Sequence, residues 1–361
     1  MKRSIIFLVL LFVTSLVFSQ SELARARADK DWGFINNEGM WVINPQFEHA
    51  HDFFEGVAAI RKNGEWGFVD KNGMFVINPQ FVDAHDFYNG LAAVRSGKEW
   101  GFIDKTGKWV VNPQFEDVLD FTENLAAVRK GGEWGFINKE GHYIINPQFA
   151  KVNPFKEGVT SALKGKDWGY INNSGMWVIN PQFEKAGTFI NGLAVVRQGG
   201  DWGIINKNGS YVVNPQFTFL KELNEGLAAM RKDKDWGFCN KDGIYIINPQ
   251  FVNAKNFSNG LAAVRMGKEW GFVDNKGIWV INPQFDDAKS MSYGLAAVRK
   301  GKDWGFVDKS GKWIINPQYE KVKDFNNGRA MVMKNGEWGW IDTKGTYIIN
   351  PQFPNAYPFT K

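Results

Sequence analysis

Apolar residues in this chain fall in short runs of three to five, bounded by Gly, Asn and Pro, with no spacing that suits a helix. Written from Leu91, one stretch reads LAAVRSGKEWGFIDKTGKWVVNPQFEDVLDFTEN. It predicts three strands: Leu91 to Arg95, Trp100 to Asp104, and an aromatic-Val-Val segment from Trp109. In the middle strand Trp100 and Phe102 share one face while Gly101 and Ile103 take the other, so neither face suits water. A strand apolar on both sides belongs between neighbouring sheets. The paired alanines of the first strand (Ala92, Ala93) and the Gly after Trp are small enough for an indole of one unit to lie against the next.

The connections carry their own signals. Between the second and third strands stand an Asx four residues after the Trp (Asn36, Asp70, Asp104) and a Gly seven after it (Gly39, Gly73, Gly107). An Asx side chain capping a turn, followed by Gly at positive φ, predicts a hairpin. Asn-Pro-Gln follows the third strand, and Pro has no amide to continue a ladder, so the strand should end or become an edge there. The next loop carries a large apolar residue (Phe53, Phe87, Phe121), which should tack it to the core, and then a Gly expected at positive φ. In one unit Asn124 replaces that Gly, and Asn is the residue that best tolerates the same conformation.

The unit repeats. Trp-Gly recurs every 34 residues at Trp32, Trp66, Trp100, Trp134, Trp168, Trp202, Trp236, Trp270, Trp304 and Trp338, and these ten indoles are the expected structural core of the repeats. Residues 22–361 are ten whole units without insertion. The pattern Trp-Gly-x-Ile-Asp-x-x-Gly, then Val-Ile-x-Pro, then Phe-x-x-Gly-Leu-Ala-x-Val, resembles the bacterial WG-containing repeat family over that whole span. The fixed Asn-Pro-Gln is a departure from the looser family pattern. Varied copy number in the family favours an open superhelical array of about three antiparallel strands per unit. The polar first strand (Arg25, Arg27) and the extra Pro354 and Pro358 in the last loop point the same way, as terminal caps would. The alternative is a closed ten-bladed, propeller-like ring, which the whole number of units would permit.

The chain's start changes the picture of where it works. Lys2 and Arg3, an apolar run from Ile5 and a small polar ending at Ser19 and Gln20 read as a signal peptide over residues 1–20, followed by a single repeat domain over residues 21–361. The apolar stretch is shorter than the roughly 20 residues of a spanning helix, and no later segment replaces it. The expected chain is therefore exported, to periplasm, cell surface or medium, with no membrane span once mature. Removing Lys2 and Arg3 lowers the formal charge from +5 to +3, and the remaining charges are interleaved, unlike a nucleic-acid footprint. Cys239 is the one cysteine and stands where other units have Ile or Val, so it should be buried and inert.

Little of this suggests catalysis. His49 and His51 could share one face of an extended segment as metal ligands, but no third ligand is near, and His51 and His85 occupy a position that holds Leu119, Asn153 or Lys255 elsewhere. An acid precedes every Trp-Gly (Asp31, Glu65, Glu99), with an Arg four residues earlier in most units (Arg61, Arg95). Repeated tenfold, this reads as a cross-strand ladder that fixes register and not as a catalytic dyad. No enzyme, cofactor or metal site is expected, and the chain is expected to be monomeric.

For binding, two readings stand. Trp41, Trp109, Trp177, Trp279 and Trp313 lie in an aromatic row beside the Asn and Gln of each Asn-Pro-Gln and are the candidate ligand-contacting residues for a lectin-like function. Core packing accounts for the same aromatics. The favoured reading is a scaffold for protein or cell-envelope partners, presenting variable loops on a constant frame. Symmetry breaks most at Val159 to Leu163 and around Phe219 to Leu223, where a singular site would be sought.

Overall fold

The structure, a computed structural model, describes residues 22–360. The proposed signal peptide lies outside them. The hydrophobic pattern resolves into ten antiparallel sheets of four strands each, one per unit. In the sheet spanning residues 49–81 these are a short strand (His49–Ala50), an alanine strand (Val57–Lys62), a tryptophan strand (Glu65–Asp70) and a proline strand (Phe75–Phe81), hydrogen-bonded in that order.

The count of three strands per unit is thus corrected to four. The additional strand is only two residues long, pairing His49 with Arg61 and Ala50 with Ile60, and a segment of that length has no periodicity to read. It follows the proline strand of the preceding blade almost without a break. The proline strand is the sheet edge, as its proline requires, although it runs through Pro79 to Phe81. It does so by bulging. Trp66 pairs with Phe81 and Phe68 with Ile77, so four residues on one strand span two on the other.

The bulge explains the Gly of Trp-Gly. A Cβ on Gly67 would lie 2.6 Å from the Ile77 carbonyl oxygen and 2.6 Å from the Pro79 nitrogen. The glycine therefore admits the bulged backbone of its own blade, and not an indole from the next unit. The alanines do meet that indole: Trp32 shares a buried cluster with Ala50 and Ala58 of the following blade.

Each core lies at a seam between two blades. Trp32, Phe34, Ile43 and Phe47 from one sheet meet Ala58, Ile60 and Val69 from the next, and the cluster recurs in each unit. The last seam joins the two ends of the chain. Ala26 pairs with Ala356 and Arg27 with Asn355, so the C-terminal short strand completes the first blade. Leu23 and Thr360 exchange backbone hydrogen bonds of 3.1 and 2.9 Å.

The array is therefore a closed ten-bladed propeller ring, and the expectation of an open superhelix is corrected. The features that resembled caps have other uses. Arg25 lies over the Tyr357 ring, 3.6 Å from its centroid, at the closure within its own blade, and pairs with Asp52 of the next blade at 2.8 Å. The turn glycine gives an independent sign of closure. Gly73 sits on Ile43 of the preceding blade, Gly107 on Ile77, and Gly39 in the same way on Ile349.

Both predicted turns are present. Asp70 Oδ1 accepts from the N–H groups of Asn72 (2.9 Å) and Met74 (2.8 Å), with Gly73 at φ +81°. The loop before each alanine strand ends in a two-residue turn such as Glu55-Gly56, both at positive φ. Asn124 takes the place of glycine there with φ 69°.

Candidate functional site

The aromatic row lies across the seams. Trp109 meets Phe81 of the preceding blade edge-on, with centroids 5.8 Å apart; Trp177 meets Phe149, Trp279 meets Phe251, Trp313 meets Phe285, and Trp41 meets Phe353 across the closure. These five indoles are half-buried. Each shows solvent part of its surface and spends the rest on packing. Beside the row Lys62 Nζ donates to Gln46 Oε1 at 3.0 Å and lies 6.0 Å from the Phe47 ring centroid, an arrangement repeated by Lys130 with Gln114 and Phe115. Of the ten Trp-Gly indoles, Trp32, Trp100, Trp270 and Trp338 are buried, and Trp66, Trp134, Trp168, Trp202, Trp236 and Trp304 are half-buried.

The arginine ladder has a different partner from the one its spacing suggests. Register places Lys62 opposite Glu65 and Arg61 opposite Trp66. Arg61 turns instead to Glu48, before the short strand, at 3.7 Å; Arg129 reaches Glu116 and Arg197 reaches Glu184 likewise. The same Glu48 carboxylate accepts the Gly64 N–H at 3.1 Å, tying the tight turn to the neighbouring strand. These exposed contacts are each worth a few tenths of a kcal/mol.

The rim residues just after each short strand break the symmetry. On one arc His51 Nδ1 is 2.9 Å from Asp86 of the next blade, and His85 Nδ1 is 2.8 Å from Asp120. On the other arc the same position holds Lys221, Lys255, Lys289 and Lys323. The first three lie over Trp236, Trp270 and Trp304, at 5.0, 5.3 and 5.7 Å from the ring centroids. Burial, and next the charge of Lys255, pulls the Lys221 ammonium below its ordinary pKa. The rim thus changes from a histidine and carboxylate arc to a lysine arc on one frame.

His85 gives that rim a measurable pH response. Burial works against its charge, but the hydrogen bond and the charge of Asp120 outweigh it and raise the pKa above the ordinary 6.5. The protonated pair therefore stabilises the fold fully below about pH 6.5 and less as pH climbs through the raised value. Replacing His85 with Gln should flatten the fall in Tm between about pH 6 and pH 8. An unchanged slope would mean that no proton is linked to this contact.

A family model described as the WG containing repeat matches ten consecutive stretches, 32–66, 66–99, 100–134, 134–166, 168–201, 202–234, 236–270, 270–302, 304–338 and 338–361. The chain belongs to the WG-containing repeat family. No match was found among curated proteins. Among solved structures the WG ring is similar to a crystal structure of the eukaryotic initiation factor, at 10% identity and TM-score 0.56, over 94% of this chain and 98% of that one. It also matches PorZ of Porphyromonas gingivalis, a surface component of the type-IX secretion system, at 9% identity and TM-score 0.30, over 84% of this chain and 51% of that one. The first of these likenesses is one of fold alone.

Of the two irregular units, one is quiet and one is open. In the WG unit through Phe155, the buried Thr160 hydroxyl donates to the Asn153 carbonyl, and Asn153 Nδ2 donates to Ser161 Oγ at 2.7 Å. Its polar substitutions are satisfied internally and leave the seam packed. Around Phe219 to Leu223 the WG seam is not closed. A cleft of about 450 Å³ lies between Trp168, Trp202, Phe219 and Lys221, and a second of about 350 Å³ lies beside Leu223. The second also involves Ile204, which sequence reasoning passed over. Its signal was present: Ile204 stands where Phe34, Phe68 and Phe102 stand in other units.

Cys239 is buried, and burial pushes its thiol up to about 12, so it stays protonated at neutral pH. His49 stacks on Trp66, at 6.4 Å and 22°, on the same indole that His51 meets. Among the described residues no cluster of three or more His, Cys, Asp or Glu could hold a metal ion, and no helix is long and apolar enough to cross a membrane.

Proposed function

We propose that this WG-repeat protein is an exported, non-catalytic scaffold that binds a protein or cell-envelope partner through its variable rim. The observation that supports this is the contrast between frame and rim. Asx turns, bulges and seam cores repeat around the ring, whereas the rim passes from His51 and His85 to Lys221, Lys255 and Lys289. A constant frame with changing side chains presents a charge pattern that a partner surface can match. Catalysis finds no support in units that repeat the same acid before every Trp-Gly. The lectin-like reading needs the aromatic row free to stack on sugars, and that row spends much of its surface on the seams.

The test uses purified chain over residues 21–361 on isolated cell envelopes. Changing Lys221, Lys255 and Lys289 together to Glu should weaken binding by about tenfold, and added salt should do the same to the unmodified chain. Binding that ignores those changes but is lost in a folded Trp109→Ala, Trp177→Ala variant would transfer the function to carbohydrate recognition. Fractionation of the producing cells, with sequencing of the mature N-terminus, tests export; uncleaved chain in the cytoplasm would overturn it.

A further inference from the structure

The cleft beside Leu223 is where the ring lacks a closing aromatic pair. At eight seams a ring on the tryptophan strand meets a ring from the following loop: Phe34 with Phe53 at 4.7 Å, Tyr170 with Phe189 at 4.8 Å, Trp340 with Phe359 at 5.4 Å, and the others between these limits. At one more, Phe272 stands with Met291, which is 1% exposed and fills the place. Only the seam of Ile204 and Leu223 has neither ring. Leu223 is half-buried where Phe53 and its counterparts are buried, and the apolar wall formed with Leu193 and Val195 is open to solvent.

The lid over this seam is also withdrawn. At three other seams a lysine following the tryptophan strand reaches back across the gap: Lys105 donates to the Glu55 carbonyl at 2.8 Å and pairs with its carboxylate, Lys207 does the same with Glu157, and Lys139 donates to the Asn89 carbonyl at 3.2 Å. Here the corresponding Lys241 turns away to Asp242, at 2.8 Å. The mouth carries the exposed carboxylate of Glu222, the carboxylate of Glu225, which accepts from the N–H groups of Asn259 and Gly260, and Lys241.

We propose that this seam is a binding site for an aromatic ring carrying a cationic nitrogen, the ring taking the place of the missing phenylalanines and the nitrogen meeting Glu222. Size and chemistry agree. An apolar cavity of about 150 Å³ holds benzene, and this one of about 350 Å³ admits a ring with a short side chain. The walls supply apolar contact, and the mouth supplies two carboxylates, Glu222 and Glu225, against one ammonium, Lys241, already paired with Asp242, which favours an arylalkylamine over a neutral or anionic aryl compound. The same chemistry occurs in a free amine and at the N-terminus of a peptide that begins with Phe.

The test is calorimetric titration of the full ring with phenethylamine, with 2-phenylethanol as its neutral counterpart, and with Phe-Gly-Gly amide before and after N-acetylation. Phenethylamine should bind about tenfold more tightly than 2-phenylethanol, and Glu222→Gln should erase that difference. Binding by the peptide that acetylation abolishes would assign the site to chain termini; binding by the free amine alone would assign it to small molecules. Restoring the pair with Ile204→Phe and Leu223→Phe should raise Tm and abolish binding. Should that variant fail to fold, Ile204→Phe with Leu223→Met reproduces the filled seam of Phe272 and Met291 and should weaken binding in the same direction. Titration that is flat at about 10 mM phenethylamine, or binding that survives the refilled seam, would overturn the proposal.

Discussion

Gly67→Ala should destabilise the ring by about 3 kcal/mol or more, the upper end of what overpacking costs. The added methyl would stand 2.6 Å from the Ile77 oxygen, 2.6 Å from the Pro79 nitrogen and 2.8 Å from the Asn78 carbonyl carbon. All three are backbone atoms of a bulge whose proline has a fixed φ, so no side chain can rotate away. Gly56→Ala supplies the control. Gly56 has φ +89° and nothing within 4 Å of its would-be Cβ, so its substitution costs only the backbone preference, about 1 kcal/mol. Denaturant midpoints of the two variants decide the matter. If Gly67→Ala costs no more than Gly56→Ala, the Trp-Gly dipeptide is not explained by the bulge.

Ending the chain at Phe353 should cost about 5 kcal/mol, although only eight residues are removed. The lost segment carries the closing strand and Phe359, which is 6% exposed and packs on Trp340. Its removal also uncovers the alanine strand of the first blade and leaves the Leu23 backbone without its Thr360 partner. At the end of an open array the same deletion would fray one terminal unit and change the midpoint little. Chemical denaturation of the truncated chain therefore separates the two architectures, and a loss below about 1 kcal/mol would count against closure.

What could be read from the sequence was local. The Asx turn and the two-residue turn each lie within a few residues, so Asp70, Gly73 and Asn124 announce their conformations directly. The two-residue short strand is set by its neighbour, and His49 and Ala50 contain nothing that marks them as a strand. Ring closure has no local signature at all. Arg25 and Arg27 resemble cap residues until Tyr357 and Asn355 are seen beside them. The arginine ladder misled because counting along the chain puts Arg61 near Glu65, while the hairpin register puts it opposite Trp66 and sends its side chain the other way. Around the open seam, Leu223 was visible as an irregularity, but its meaning needed Ile204, in a different blade, to be placed opposite it.

Closure also bears on how such a gene can change. An unequal crossover that deletes one 34-residue unit in frame leaves every hairpin, turn and bulge of the encoded chain intact. Yet the remaining units must then share the whole circle, widening every seam at once, where a Cβ on Gly107 would already lie 3.4 Å from Ile77 and one on Gly39 closer still to Ile349. In a linear array such an event is judged at one junction. In this ring it is judged everywhere together, so the interlocking of turn glycine and neighbouring isoleucine acts as a gauge on the number of copies the gene can carry.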